Sequence, residues 1–182
     1  APLPGSTLTT TAPPVQAAVS DVNSGVNEAS ISLLINGSSV SITFDEATGA
    51  IAATGGAWQE GDNQLELRVA DVIGNPQAPL LWSLTIDTVP PAGTMTINSD
   101  ADLTTSVYVT LTVSASDETS GVPRMLLSNE EAAGYVEEPL VPLRELWRLN
   151  AVRGPQRVYV KCVDRAGNTS APISDVIELV LL

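Results

Sequence analysis

The chain has 182 residues, a formal net charge of −13, one cysteine and no histidine. One cysteine excludes an internal disulfide, and without histidine the commonest general base and the commonest transition-metal ligand are both missing. An acidic surface of this strength repels nucleic acid and anionic membranes, favours solubility and tolerates divalent cations. Hydrophobic residues make up 43% of the chain but aromatics only 4%, so any core is built from Val, Leu, Ile and Ala, which suits β-sandwiches. No run approaches the roughly 18 apolar residues of a membrane span.

Taken in order, the chain opens on a Thr-rich stretch, residues 6–11, that reads as a flexible arm or a carrier of O-linked sugar. Val15, Ala17 and Val19 then alternate with small residues, as in a half-buried strand. Residues 31–35 form an apolar run that ends in Asn36-Gly37, a hairpin signal because both residue types accept positive φ. Turns follow at residues 54–56 and 60–63. Leu65, Leu67 and Val69 alternate with Glu66, Arg68 and Ala70 and lead into Asp71-Val72-Ile73-Gly74-Asn75. Asp87-Thr88-Val89-Pro90-Pro91 is a stiff, extended linker. Beyond it, Leu111, Val113 and Ala115 alternate, and so do Val158, Val160 and Cys162. Residues 130–135 and 143–149 could each hold a helical turn, with Pro139 and Pro142 interrupting the region.

The chain repeats itself. Asp21-Val22-Asn23-Ser24-Gly25-Val26 matches Asp117-Glu118-Thr119-Ser120-Gly121-Val122, 96 positions later (21 to 117). Asp71-Val72-Ile73-Gly74-Asn75 matches Asp164-Arg165-Ala166-Gly167-Asn168. Two motifs in the same order at nearly the same spacing imply two copies of one unit. With the linker as boundary, the expected domains are residues 1–88 and 89–182, each near the roughly 90 residues of a small sandwich.

The string Asp-x-x-Ser-Gly-Val, then a strand ending in Asp-x-x-Gly-Asn, then Asp-Thr-x-Pro-Pro resembles bacterial immunoglobulin-like (Ig-like) extracellular repeats. The second copy, from Thr94-Met95-Thr96-Ile97-Asn98 through Lys161-Cys162-Val163-Asp164, is similar to one common variety of them. The resemblance covers essentially the whole chain. It implies an all-β protein of two tandem Ig-like β-sandwiches joined by a short Pro-rich linker. It also implies an extracellular or cell-surface, secreted setting.

In such a sandwich the second and sixth strands end at one pole. The resemblance therefore brings Asp21 to Asp71, and Asp117 to Asp164. Two roles are open for these carboxylates. As loop pins they accept hydrogen bonds from backbone N–H groups of their own turns. As calcium ligands, Asp117 and Asp164 would join the linker residue Asp87 at the interdomain joint, with Asp100 and Asp102 as further donors and Asp21 with Asp71 as a weaker pair.

Cys162 falls on the inward phase of its strand and reads as a small buried hydrophobe rather than a reactive thiol. Trp58, Trp82 and Trp147 read as plugs of sandwich cores, with a sugar platform as the alternative. Asn36 and Asn168 begin Asn-x-Ser sequences that fit N-glycosylation in exposed turns. The chain ends in Val180, Leu181 and Leu182, an apolar stretch that is costly in water. The first copy is short at its start, with 20 residues before Asp21 against 24 from Gly93 to Asp117, which implies an open strand edge.

These features predict a non-enzymatic structural protein, the building unit of a surface fibre, pilus-like filament or surface layer. Copies would assemble head to tail, the end of one meeting the N-terminal pole of the next. The alternative is an adhesin or a carbohydrate- or protein-binding accessory module of a larger secreted protein. A start at Ala1 fits a processed secreted protein and a piece of a larger one equally well.

Overall fold

Period-2 alternation becomes strand along nearly the whole chain, and the only helix among the described residues is a 3-10 turn, Glu28–Ser30, whose Asn27 cap accepts the Ala29 N–H. A computed structural model describes residues 2–180. It divides into two compact units, Ala1–Thr88 and Val89–Leu182.

The first unit holds β1 (Thr7–Leu8), β2 (Val15–Ala18), β3 (Ser32–Ile35), β4 (Ser38–Val40), β5 (Ile42–Asp45), β6 (Ala50–Ala53), β7 (Gly61–Arg68) and β8 (Leu80–Ile86). One sheet has the order β1-β8-β7-β3-β4 and the other β2-β6-β5. Leu33, Ile35, Leu65, Leu67, Leu84 and Ile86 on the larger sheet meet Val15, Ile51 and Ala53 on the smaller one. This is the aliphatic interior that the scarcity of aromatics demanded. The β3–β4 hairpin turns through Asn36 (φ 51°) and Gly37 (φ 77°), the left-handed pair that matches strand twist.

The second unit holds β9 (Ala92–Ile97), β10 (Leu103–Thr104), β11 (Tyr108–Ser116), β12 (Arg124–Ser128), β13 (Val136–Pro139), β14 (Leu143–Arg148), β15 (Gly154–Val163) and β16 (Ile173–Leu179). Its larger sheet, β10-β16-β15-β12-β13, repeats the order of the first unit's larger sheet. Its smaller sheet is β14-β11-β9. Met95, Ile97, Val109, Leu111 and Val113 from the smaller sheet pack on Met125, Leu127, Val158, Val160 and Ile177 from the larger one.

The two stretches expected to hold helical turns do not. Residues 129–133 are bends, and β14 is a strand paired with β11 across a register shift between Val109 and Leu111. Leu146, at φ 56° and exposed, takes up the irregularity, which leaves Leu149 buried in the core. Prolines on the approach deny a helix its N–H donors, while pairing with β11 satisfies the backbone directly.

Both units are therefore all-β sandwiches. No helix among the described residues is long and apolar enough to cross a membrane.

Candidate functional site

The acidic turns are the most chemically loaded parts of each unit. In the first, Asp21 Oδ1 accepts N–H bonds from Asn23, Ser24 and Gly25 at 3.0, 2.7 and 2.8 Å. In the second, Asp117 Oδ1 accepts from Thr119, Ser120 and Gly121 at 3.1, 2.7 and 3.0 Å. Three donors converge on one oxygen because the chain wraps around the carboxylate. Gly25 (φ 84°) and Gly121 (φ 72°) supply the left-handed step that closes the wrap.

The second motif behaves alike. Asn75 donates its N–H to Asp71 Oδ1 at 2.7 Å and its amide Nδ2–H to Oδ2 at 2.7 Å. Asp164 accepts the N–H groups of Gly167 and Asn168 on Oδ1 at 2.7 and 2.8 Å, and the Asn168 amide on Oδ2 at 2.8 Å. The two turns of a unit then tie together. The Val72 N–H donates to Gly25 O in the first unit, and the Arg165 N–H to Gly121 O in the second. Arg165 Nη1 adds a bond to Ser120 O.

Asp21 and Asp71 line one shallow pocket. Asp117 and Asp164 have carboxylate oxygens within 4.8 Å of each other. Gly25 foremost, then Asn23 and Ser24, hold the Asp21 carboxyl below its usual range through their N–H groups. The Asn75 N–H does the same for Asp71. For Asp117 burial acts in the opposite direction, and the N–H groups of Ser120, Gly121 and Thr119 outweigh it, so its pKa is also lowered. An oriented N–H is a partial positive charge that stays put, so it favours the ionised form without any cation.

Asp87 lies in the first unit just past β8, fully buried, with its N–H donated to Leu8 O. Asp100 and Asp102 do not reach the acidic pole. They follow β9, whose register sets Ile97 opposite Leu111 and Ala92 opposite Ser116. Asp117 therefore sits beyond the other end of β11, on the order of 25 Å away at about 3.4 Å per residue. Asp100 makes a tight turn (φ 65°) and Asp102 accepts the Glu178 N–H on its carbonyl.

The remaining candidate residues are structurally engaged. Cys162 is fully buried in β15, and burial pushes its thiol pKa up. Trp58, Trp82 and Trp147 each pack on a core, and the Trp58 and Trp147 indole N–H groups donate to Gly55 O and Asn129 Oδ1. The Asn36 amide nitrogen donates to Ala57 O and to Asn63 Oδ1, and Asn168 Nδ2 holds Asp164. A glycan on Asn36 would cost it one of those two bonds, because a glycosylated amide keeps a single N–H. Val180 continues the sheet by donating its N–H to Thr104 O, while Leu181 and Leu182 lie outside the described residues.

One feature has no counterpart among the site residues picked out from sequence. Leu3, Leu80 and Leu81 in the first unit are 75%, 58% and 67% exposed and border an apolar groove of about 400 Å³ beside β2. The shortness of the first copy ahead of Asp21 is the only sequence signal that pointed to that edge.

No family model matches the chain and no curated protein is similar to it. Among solved structures, the fibronectin(III)-like modules of Clostridium thermocellum CbhA align over 99% of this chain and 92% of theirs, with TM-score 0.51 and 15% identity. Dimeric latent PorU from Porphyromonas gingivalis aligns over 99% of this chain and 19% of its own (TM-score 0.37, 15% identity). The D00-D0 domain of Intimin aligns over 98% and 96% (TM-score 0.40, 11% identity). At such identities the likeness concerns fold alone. The first of them shows that this β-sandwich fold is similar to that of fibronectin(III)-like modules.

Proposed function

We propose that this chain is a non-enzymatic structural module of an extracellular or cell-surface protein, a building unit of a fibre, pilus-like filament or surface layer whose copies associate head to tail. The observation that carries the reading is where the acidic groups spend their hydrogen bonds. All four motif aspartates are tied to backbone N–H groups of their own turns. They stiffen loops, which suits a mechanical element. A sandwich with pinned loops and a largely aliphatic interior also fits a load-bearing spacer better than a catalyst, and its acidic surface disfavours nucleic acid as partner.

Light scattering and electron microscopy of residues 1–182 beside a chain lacking residues 180–182 test the assembly. Concentration-dependent growth that the deletion abolishes is the expected outcome. Monomers at all concentrations in both chains would remove self-assembly and favour an accessory module of a larger protein.

Calcium titration tests the pinning role. With the carboxylates held by their turns, calorimetry gives no heat and the melting temperature does not move. Saturable heat, lost in Asp117→Asn, would establish the calcium reading of Asp87, Asp117 and Asp164 instead.

A further inference from the structure

The acidic turns of the two units share a backbone but not the side chain laid across it. Val72 in the first unit and Arg165 in the second hold one position of the repeat, directly after Asp71 and Asp164. Their N–H groups donate to matching carbonyls, Gly25 O and Gly121 O. Arg165 then folds back over its turn and donates from Nη1 to Ser120 O at 2.6 Å. A Cβ added to Gly121 would meet that nitrogen at 3.1 Å, whereas one added to Gly25 would meet Cγ2 of Val72 at 3.8 Å. A guanidinium therefore caps the turn in the second unit, and a valine methyl stands beside it in the first.

What Arg165 covers in the second unit is open in the first. A pocket of about 390 Å³ lies beside the Asp21 turn, and Asp21, Ser24, Gly25, Phe44, Glu46 and Val72 are among the residues lining it. Ser24 O, the counterpart of the carbonyl that Arg165 uses, accepts no hydrogen bond from the described residues. The bonds to Asp21 all fall on Oδ1, so its Oδ2 has no donor among those residues. The Glu46 carboxylate, in the β5–β6 turn, makes no hydrogen bond or ion pair with them. Three acceptors without donors thus belong to residues around one cavity, and Val26, Phe44 and Val72 give it apolar walls.

No cation of the first unit fills this place. Arg68 is the only Lys or Arg in residues 1–88, it pairs with Glu66 at 2.6 Å, and it does not line the pocket. The loops of this pole, residues 19–31, 45–49 and 69–79, hold Asp21, Glu28, Asp45, Glu46 and Asp71 and not one basic residue. Such a field draws cations. Apolar walls with spaced acceptors suit a flat cation on an aliphatic stem better than a bare metal ion, which takes six or more oxygens. An arginine fits on both counts. Its stem packs on Val26, Phe44 and Val72, and its fork of five N–H donors serves the two carboxylates and Ser24 O together. We propose that this pocket is a receptor for an arginine side chain of another polypeptide, which takes the place over the Asp21 turn that Arg165 fills from within the second unit.

The test is NMR titration of the isotope-labelled 182-residue chain with N-acetyl-arginine amide at constant ionic strength. The expected result is saturable shifts at the Ser24, Gly25, Glu46 and Val72 amides, with a Kd on the order of 5 mM, as for one exposed charge-assisted contact. The Ser120 and Gly121 amides, already capped, do not move. N-acetyl-citrulline amide, which keeps the shape without the charge, does not bind. Glu46→Gln weakens the probe about threefold. Val72→Arg, at an exposed position, supplies the cap from within and abolishes binding. No saturable shifts up to about 50 mM probe, roughly ten times that Kd, overturn the proposal. So do equal shifts with the citrulline compound, or an unchanged titration in a folded Val72→Arg chain. A concentration series without probe then separates two sources of the arginine. Movement of the same amides with chain concentration assigns it to a second copy, and amides that stay put assign it to a different partner; the site stands in both.

Discussion

The two units share the larger sheet and the acidic turns, yet differ at the second strand. β11 lies between two neighbours and β2 has only one. The consequence is read in the matching residues of the last strand. Ile173 in β16 is half-buried and packs on the core of its unit, whereas Leu80 in β8 stays 58% exposed. Core-facing positions lie at the surface where, among the described residues, the strand across from them has a neighbour on one side only, because a sandwich buries its strands through neighbours on both sheets. Val15, Ile51, Leu65 and Leu84 are nevertheless buried in the core of the first unit.

The sharpest way to break the comparison is to remove β9 from the second unit. Ile97→Asp sets an unpaired carboxylate in a fully buried site and deletes a core side chain. We expect a loss above about 4 kcal/mol, enough to unfold that unit while the first persists, read as two separated transitions in urea with NMR as a residue-level monitor. Leu3→Asp, at the mouth of the first unit's groove, changes stability by less than about 0.5 kcal/mol. Equal effects from the two substitutions would contradict the assigned difference between the units.

A smaller effect comes from the turns. Asp164 is fully buried, and Asp164→Ala leaves the Gly167 and Asn168 N–H groups without their acceptor. About 2 kcal/mol is expected from chemical denaturation. The matching Asp71→Ala in the first unit costs less, because Asp71 is only half-buried and water can replace the lost acceptor.

The smallest effect is on acid stability. Asp21, Asp71 and Asp117 have carboxyl pKa values lowered in the fold. A lowered folded-state value means that their stabilisation is fully present above the unfolded-state value, near 4, and is lost as pH falls through the folded-state values. Melting temperature should therefore hold level from pH 7 to about 5 and decline below about 4. Asp117→Asn should flatten that decline in the second unit. A decline that begins above pH 6 would point to groups other than these carboxylates.

Much of the fold was legible because sandwich strands write their orientation into alternate residues. Leu65, Leu67, Val158, Val160 and Cys162 all point inward as their period required, and Asn36-Gly37 turns the hairpin it promised. The pairing of Asp21 with Asp71, and of Asp117 with Asp164, followed from a repeated spacing laid on a sandwich. Residues 143–149 were not legible. Their apolar spacing suits a helical turn as well as a strand, and only pairing with β11 decided between them. The displacement of Asp100 and Asp102 from the acidic pole likewise depends on the antiparallel register of β9 against β11, which local sequence does not carry.

The sequence alone determined the class of the chain, its inward and outward faces and the chemistry of its turns, since each rests on a residue's own neighbours within a few positions. The tertiary structure decided which strands pair and which carbonyls tie the two turns of a unit together, Gly25 O to the Val72 N–H and Gly121 O to the Arg165 N–H. Those are contacts between segments far apart in the chain, and no local period encodes whether a partner strand is present to receive them.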